Sequence, residues 1–397
     1  MKVIQEDGLP IKMWLDDLEG PALAQARNLA RLPFARKWIC LMPDAHMGYG
    51  MPIGGVLATR DVVIPNAVGV DIGCGMCFQA TNIPVSALFP LLGIVGSIKQ
   101  SVPVGFSSHP EKRPCRSVDM MRCTVEHTSM VHNSIGMDVL ENAYFQVGTL
   151  GGGNHFIELQ ADEDDHLCIM LHSGSRNMGK WICDYYNGLA CDRNKRWFSS
   201  VDPKWELSFL PLHSNEGAEY LAWMRLALAF AQENRERMMQ SVLEIVLDAV
   251  GGRECISNLI LADPINIHHN YAAMEHHFGE NLVVHRKGAT KATADTVGII
   301  PGSMGTASYI VQGLGNPESF MSCSHGAGRR MGRKEATRTL SLDAELERMS
   351  GILHDMTEVS DLDEAPGAYK DIDVVMRNQE DLVRVVKKLR PIAVIKG

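Results

Sequence analysis

No run of about 18 consecutive apolar residues occurs in this chain, so it offers no segment suited to crossing a bilayer as a helix. Its first ten residues, Met1 to Pro10, lack the apolar core of a signal peptide and carry Glu6 and Asp7, so a cytoplasmic location is expected. Positive charge is not in excess. The 38 Lys and Arg stand against 47 Asp and Glu, a net charge of -9. That excludes a uniformly basic nucleic-acid binder but leaves room for a local cluster such as Arg329, Arg330, Arg333 and Lys334. The 10 cysteines follow no repeating frame, which argues for thiols in a reducing compartment. Gly-x-x-x-x-Gly-Lys-Ser/Thr is missing, which removes the Walker-type nucleotide binders, and the absence of Gly-x-Ser-x-Gly weakens a serine hydrolase. Repeats, low-complexity tracts and linkers are missing too. With 397 residues, 45% of them hydrophobic, the chain can bury a sizeable core.

The sequence is rich in glycine and histidine, gathered in a few segments. The run Ser322-Cys323-Ser324-His325-Gly326-Ala327-Gly328-Arg329-Arg330 places a histidine before two glycines and two arginines. Glycine lets backbone approach a ligand closely, and arginine offers forked donors to phosphate oxygens. His325 there is either a nucleophile toward phosphorus or a buried turn histidine. Asp71 and Cys74, three apart across a glycine turn, offer one hard and one soft ligand to a cation. Cys74 and Cys77 read as half of a structural zinc site, but no second pair exists.

Three more histidine segments follow. Residues 154–172 read as a hairpin. His155, Ile157 and Leu159 alternate with Asn154, Phe156 and Glu158, and a charged turn leads to the apolar strand 167–171, which ends at His172. The two imidazoles then lie near one end of the hairpin. In His268-His269 adjacent side chains point to opposite faces of an extended chain, so only one of them reaches a shared site. Asp71, Cys74, His155, His172 and His269 together suffice for two metal ions, an arrangement suited to displacement at phosphorus. The loop Gly298 to Gly305 can cradle a phosphate or a nucleobase edge. Arg286, Lys287 and Lys396 add cations, though lone lysines are usually solvated surface.

The surrounding pattern is mixed. A helix is expected from Pro21 to Leu32, buried strands over 38–41, 55–58 and 62–64, and mostly helix over 85–145 with a surface loop at 106–117. Residues 216–250 form the clearest helix, a scaffold element with Glu233, Arg235, Glu236 and Arg237 facing water.

Seven ordered segments resemble the RtcB RNA ligases: Met42 to Gly50, Gly69 to Gly75, Gly148 to Phe156, Leu171 to Arg176, His268 to Tyr271, the Pro301-Gly302-Ser303-Met304 loop and Ser324 to Arg329. The likeness runs in register from about Pro10 to Gly397. It implies an α+β fold: a single compact domain over 1–397, with mixed β-sheets around a dinuclear metal site and helices outside. It also implies a ligase dependent on GTP and two Mn²⁺ ions, joining an RNA 3′-phosphate or 2′,3′-cyclic phosphate to a 5′-hydroxyl in splicing or repair, with an archease-like activator as a partner. By position, His325 would take GMP, oriented by Asp44, and Arg329 would offset charge on the phosphoryl group. Cys74 would bridge both ions, with Asp71 and His155 completing one and His172 and His269 the other. Asn154, His155, Phe156, Ile157 and Glu158 would line the guanylate site together with His269 and Asn270. Pro301, Gly302, Ser303, Met304 and Ser308 would form another wall, and His325, Gly326, Ala327, Gly328 and Lys396 the rest. Ligand softness alone favours zinc over manganese, so the manganese assignment comes from the resemblance. Asn177 stands where the family often has glycine; asparagine tolerates left-handed backbone, so the turn is expected to persist there. Cys77 lies outside the shared pattern and is expected to be structural. Two readings compete with the ligase: a dinuclear phosphoesterase that opens cyclic phosphates, and a non-catalytic RNA-binding metalloprotein, which leaves His325 beside Arg329 without a role.

Overall fold

The expected hairpin lies at the centre of the architecture. In the computed structural model, which describes residues 1–251 and 262–397, strand Phe156–Ala161 pairs antiparallel with His166–Ser173, and Phe156 faces His172. Cys255 lies outside the described residues. The hairpin belongs to a seven-stranded antiparallel sheet. In spatial order it runs Ile265–His268, Gly75–Pro84, His166–Ser173, Phe156–Ala161, Val383–Lys396, Ser308–Gly313 and Val297–Ile300. Both hairpin strands are covered on both faces, so the alternation at 154–159 separates two buried faces rather than core from solvent.

A six-stranded sheet lies beside it: Lys2–Ile4, Ile11–Met13, Ala35–His46, Ile53–Thr59, Glu280–Lys287 and Asn270–His277. One pairing, Ile11–Met13 with Ala35–His46, is parallel, so this is the mixed sheet of the expected α+β fold. The expected strands 38–41, 55–58 and 62–64 fall in Ala35–His46, Ile53–Thr59 and Val62–Val63. The first helix runs Gly20–Ala30 with Pro21 in its first turn. The 85–145 region holds helices Leu91–Ser101, Arg116–Val125, Ser129–His132 and Ile135–Gln146. No described helix is long and apolar enough to cross a membrane, and all 9 described cysteines are free thiols.

The long helix is Asn215–Ala249, opened by Ser214, whose hydroxyl accepts from the Gly217 amide at 3.1 Å. Its first half buries Tyr220, Trp223, Ala227 and Phe230 against other helices. Its second half lays Met238, Met239, Val242 and Val246 on Ile157, Ile169 and Leu171 of the central sheet. The expectation that its charged run faces water is corrected for two residues: Glu233 and Arg235 are buried. Glu233 accepts from the amides of Arg116 (3.0 Å) and Ser117 (2.7 Å), placing an anion at the start of helix Arg116–Val125. Arg235 reaches under the sheet ends. The apolar stripe passes through Asn234 and Arg235 between Phe230-Ala231 and Met238-Met239, so those two polar groups point inward with it.

The solvated reading of Lys287 is corrected likewise, since it and Arg286 are buried at the end of a strand enclosed by two neighbours. Arg286 grips Glu275 with two nitrogens (2.6 and 3.0 Å). Lys287 donates to the carbonyls of Tyr49 (2.6 Å) and Asn66 (3.0 Å), and burial pulls its ammonium down to about 8.

Antiparallel pairing gathers the functional segments at one end of the seven-stranded sheet. His268 pairs with Gly75 and Gly75 with Ser173; His172 pairs with Phe156 and Phe156 with Lys396. Short strands Ala289–Lys291 and Ser322–Ser324 deliver His325 to the same place.

Candidate active site

Five side chains from four segments form two groups of possible ligands that share Cys74: Cys74 with His172 and His269, and Cys74 with Asp71 and His155. Within each group the ligand atoms lie within 4.8 Å of one another. Cys74 Sγ is 3.1 Å from His172 Nε2 and 3.5 Å from His155 Nε2; His172 Nε2 is 3.2 Å from His269 Nε2. His268, the other member of the pair, points away toward Arg235, and Cys77 sits in the core below the sheet.

The chemistry of this donor set fits cations. His155 Nδ1 donates to the Leu150 carbonyl (2.9 Å) and His172 Nδ1 to that of Asn154 (3.1 Å), which leaves each Nε2 as a lone pair. The His155 lone pair then faces Asp71 Oδ2 at 3.1 Å, acceptor against acceptor. A cation between them removes that repulsion. Burial holds His172 and His269 well below the usual imidazole range, so both stay neutral ligands. Burial, then the Asp71 charge, push the Cys74 thiol well up. For Asp71 burial is the largest single influence and acts upward, but the neighbouring His155, Cys74 and His172 together outweigh it and the carboxyl lies below its usual range. Gly151 (φ +98°) permits the approach: a Cβ there would fall 2.4 Å from His155 Nδ1.

His325 stands beside this cluster, its ring centroid 4.8 Å from that of His269. Its Nδ1 donates to Asp44 Oδ2 at 2.6 Å, and the backbone amides of His325 (3.0 Å) and Gly326 (3.3 Å) donate to the same oxygen. Asp44 is fully buried, so this bond fixes the tautomer and leaves His325 Nε2 as the free lone pair. Gly328 (φ +75°) lets the loop close on Asp44, since a Cβ would meet its carbonyl oxygen at 2.2 Å. Asp44→Asn presents an amide in place of one acceptor oxygen and unsettles the tautomer. Chemistry at His325 is expected to slow by about 10²–10⁴, with the fold kept, as checked by single-turnover labelling and circular dichroism.

The remaining segments surround His325. The Pro301–Met304 loop is braced from within: the Gly302 amide donates to Ser308 Oγ (3.1 Å) and the Ser303 amide to Thr306 Oγ1 (2.7 Å). Gln160 Nε2 donates to Ser308 Oγ (3.2 Å) and to Glu158 Oε2 (2.5 Å). Phe156 and Glu158 share one sheet face, whereas Ile157 points into the core under the long helix and only its backbone can face a ligand. Asn154 is exposed, Met304 and Ala327 are buried, and Gly326 packs over Pro301. The Asn270 amide is consumed by the Asp71 carbonyl (3.0 Å) and the Gly288 amide (2.7 Å), which makes it a brace. The Lys396 ammonium lies 6.0 Å from the centre of the Phe156 ring and 3.8 Å from Glu364 Oε2, and burial lowers it.

Arg329 is already engaged. It pairs with Glu364 at 3.1 Å and donates to the Asp363 carbonyl at 2.6 Å. Glu364 also receives Arg333 (2.8 Å) and the Tyr369 hydroxyl. This carboxylate node was not legible in sequence, where Glu364 lies in an acidic stretch resembling solvated surface. The left-handed residue at the end of the Leu171 to Arg176 motif is Arg176 (φ +57°), and Asn177 opens helix Asn177–Arg196, which corrects the expected turn. Arg176 is held by Thr149 Oγ1 (2.9 Å) and the Gly105 carbonyl (2.8 Å), which support this costly conformation.

Burial pushes the Glu158 carboxyl up to about 8, with Gln160 and Lys396 acting in the opposite direction. The folded state keeps that proton to about pH 8 while the unfolded chain sheds it near 4.5, so this group lowers stability as pH rises through that window. Glu158→Gln is expected to remove that slope, about 1.4 kcal/mol per pH unit at most, in urea unfolding at pH 5.5 and 7.5.

The family described as tRNA-splicing ligase RtcB matches residues 25–397. The RNA-splicing ligase RtcB of Escherichia coli K12 is 39% identical over 407 aligned positions, covering 100% of this chain and 99% of that protein. The tRNA-splicing ligases RtcB of Nanoarchaeum equitans (32% identical, 98% of this chain and 95% of that protein) and Thermococcus kodakarensis (31%, 100% and 94%) are similar over comparable spans.

Proposed function

The chain belongs to the RtcB family of RNA ligases, and from that premise we propose that it joins an RNA 3′-phosphate or 2′,3′-cyclic phosphate to a 5′-hydroxyl, using GTP, with His325 as the guanylate acceptor. The observation that carries this reading is the Asp44–His325 pair, which occupies Nδ1 and leaves Nε2 for chemistry beside the shared-cysteine cluster, with Gly326 packed on the Pro301–Met304 loop.

In this reading His325 Nε2 attacks the α-phosphorus of GTP, an N–P bond forms and pyrophosphate leaves. Asp44 holds the Nδ1 proton throughout and stabilises the positive charge that develops on the ring. The RNA 3′-phosphate then displaces His325 and takes the GMP. The 5′-hydroxyl attacks the activated phosphorus, forming the phosphodiester and releasing GMP. A cyclic end is first opened by water to the 3′-phosphate. Two divalent cations held by Asp71, Cys74, His155, His172 and His269 would supply charge withdrawal at phosphorus. We take them as Mn²⁺ on the family's pattern, against the softness of the donor set, and elemental analysis of the purified protein decides between manganese and zinc. Phe156, Glu158, Lys396 and the Pro301–Met304 loop would hold the guanylate. Arg329, held by Glu364 and the Asp363 carbonyl, would brace the loop more than clamp phosphate.

The remaining proposals are that residues 1–397 act as one ligase domain in the cytoplasm, in RNA splicing or repair, with an archease-like activator. The test is incubation with α-labelled GTP and Mn²⁺: an acid-labile, base-stable label on the protein supports the ligase. A protein that opens cyclic phosphates without ever taking the label is a phosphoesterase.

A further inference from the structure

Two adjacent residues of the long helix reach the ligand cluster from below, and most of their bonds go to different parts of it. Arg235 is fully buried, and no carboxylate among the described residues bonds its guanidinium. Its Nη1 donates to the carbonyls of Gly73 (2.9 Å) and Ser173 (2.8 Å). Its Nη2 bonds His268 Nδ1 (3.0 Å) and its Nε bonds Asn266 Oδ1 (2.7 Å). Gly73 precedes Cys74, Ser173 follows His172, and His268 precedes His269. One planar fork therefore ties together the three segments that supply one ligand group.

Asn234, also fully buried, turns to the other group. Its Oδ1 accepts from the amides of Gly148 (2.7 Å) and Thr149 (3.0 Å), and its Nδ2 donates to the Thr149 carbonyl (3.0 Å), to the Gly174 carbonyl (3.2 Å) and to Ser173 Oγ (3.2 Å), whose own hydroxyl donates to the Leu150 carbonyl (2.6 Å). That loop presents the Leu150 carbonyl, which holds His155 Nδ1 at 2.9 Å and so aims Nε2 at Asp71.

We propose that Arg235 and Asn234 are positioning residues for two different ions: Arg235 fixes the Cys74–His172–His269 site and Asn234 fixes the Asp71–Cys74–His155 site. The proposal rests on the dinuclear reading above, and it makes the long helix the spine of the metal centre. Geometry, not charge, is what Arg235 supplies, because one lysine ammonium cannot span four acceptors on three segments.

The experiment titrates metal-stripped full-length protein with Mn²⁺ alone, by calorimetry and electron paramagnetic resonance. Wild type is expected to take up two ions. Arg235→Lys is expected to weaken one of them by about 10–100-fold, the size usual for lost support behind a ligand. The ion it keeps should be lost on adding His155→Ala and unaffected by His172→Ala. Asn234→Ala should show the reverse pattern. A second readout needs no metal: in the stripped protein, hydrogen exchange should quicken at residues 73–75 and 266–269 only in Arg235→Lys and at 148–155 only in Asn234→Ala, while 172–174, bonded by both side chains, should quicken in either. If Arg235→Lys does not fold, His268→Ala and Asn266→Ala, each removing one acceptor, carry the same expectation in milder form. Two ions at wild-type affinity in Arg235→Lys overturns the proposal, as does equal weakening of both ions in both variants. Wild type that binds no Mn²⁺ while the exchange pattern holds overturns the dinuclear reading and leaves the positioning of the segments standing.

Discussion

His325→Ala is expected to abolish transfer of labelled GMP to the protein and to lower RNA ligation by at least about four orders of magnitude, the scale seen when a covalent nucleophile is deleted. The substitution removes a side chain that is only partly buried and whose main bond is to Asp44. Backbone amides of residues 325 and 326 still reach Asp44 Oδ2, so the loop has its anchor without the ring. Thermal stability should therefore stay within a few degrees of wild type and Mn²⁺ uptake should persist. Gel separation of labelled protein, with a melting curve on the same preparation, checks both halves. A folded variant that still takes the label would move the acceptor elsewhere.

Cys74→Ala carries the second large effect, because one sulfur belongs to both ligand groups. Loss of His172 or His155 removes a ligand from one group; loss of Cys74 removes one from each. Uptake of both ions is expected to fall below detection in a micromolar titration, and guanylylation with it by about 10³ or more. Cys74 is small and its backbone bonds are independent of sulfur, including the one from the His269 amide to its carbonyl at 2.9 Å. The stripped variant should thus melt near stripped wild type. Elemental analysis after gel filtration gives the answer, and two retained ions would contradict the shared-sulfur geometry.

The residues that converge here were largely legible because they sit in short segments with unusual composition. Glycine turns carry Cys74, His155 and His325, and the apolar strand 167–171 ends on His172; both features are local and survive without knowledge of partners. Parity said that only one of His268 and His269 reaches the site, and the family resemblance pointed to His269. What sequence could not give was anything set by wrapping. Arg235 and Glu233 look like a solvated helix face until the sheet ends and helix Arg116–Val125 close around them. Lys287 read as a surface cation because strand position, interior or edge, is a tertiary fact. The pairing of Arg329 with Glu364 was out of reach because the two lie 35 residues apart, Glu364 in an acidic stretch. The long helix held the one missed signal: its apolar stripe continues through Asn234 and Arg235, so two polar residues stand at core positions.

The central claim is that His325 Nε2 carries GMP on the way to RNA. Intact protein incubated with GTP and Mn²⁺, digested at alkaline pH and analysed by mass spectrometry, should show one GMP adduct on the peptide containing His325. Addition of RNA bearing a 3′-phosphate and a 5′-hydroxyl should discharge that adduct as joined RNA appears. Joined RNA formed with no adduct on His325, or an adduct that RNA does not discharge, would contradict the account.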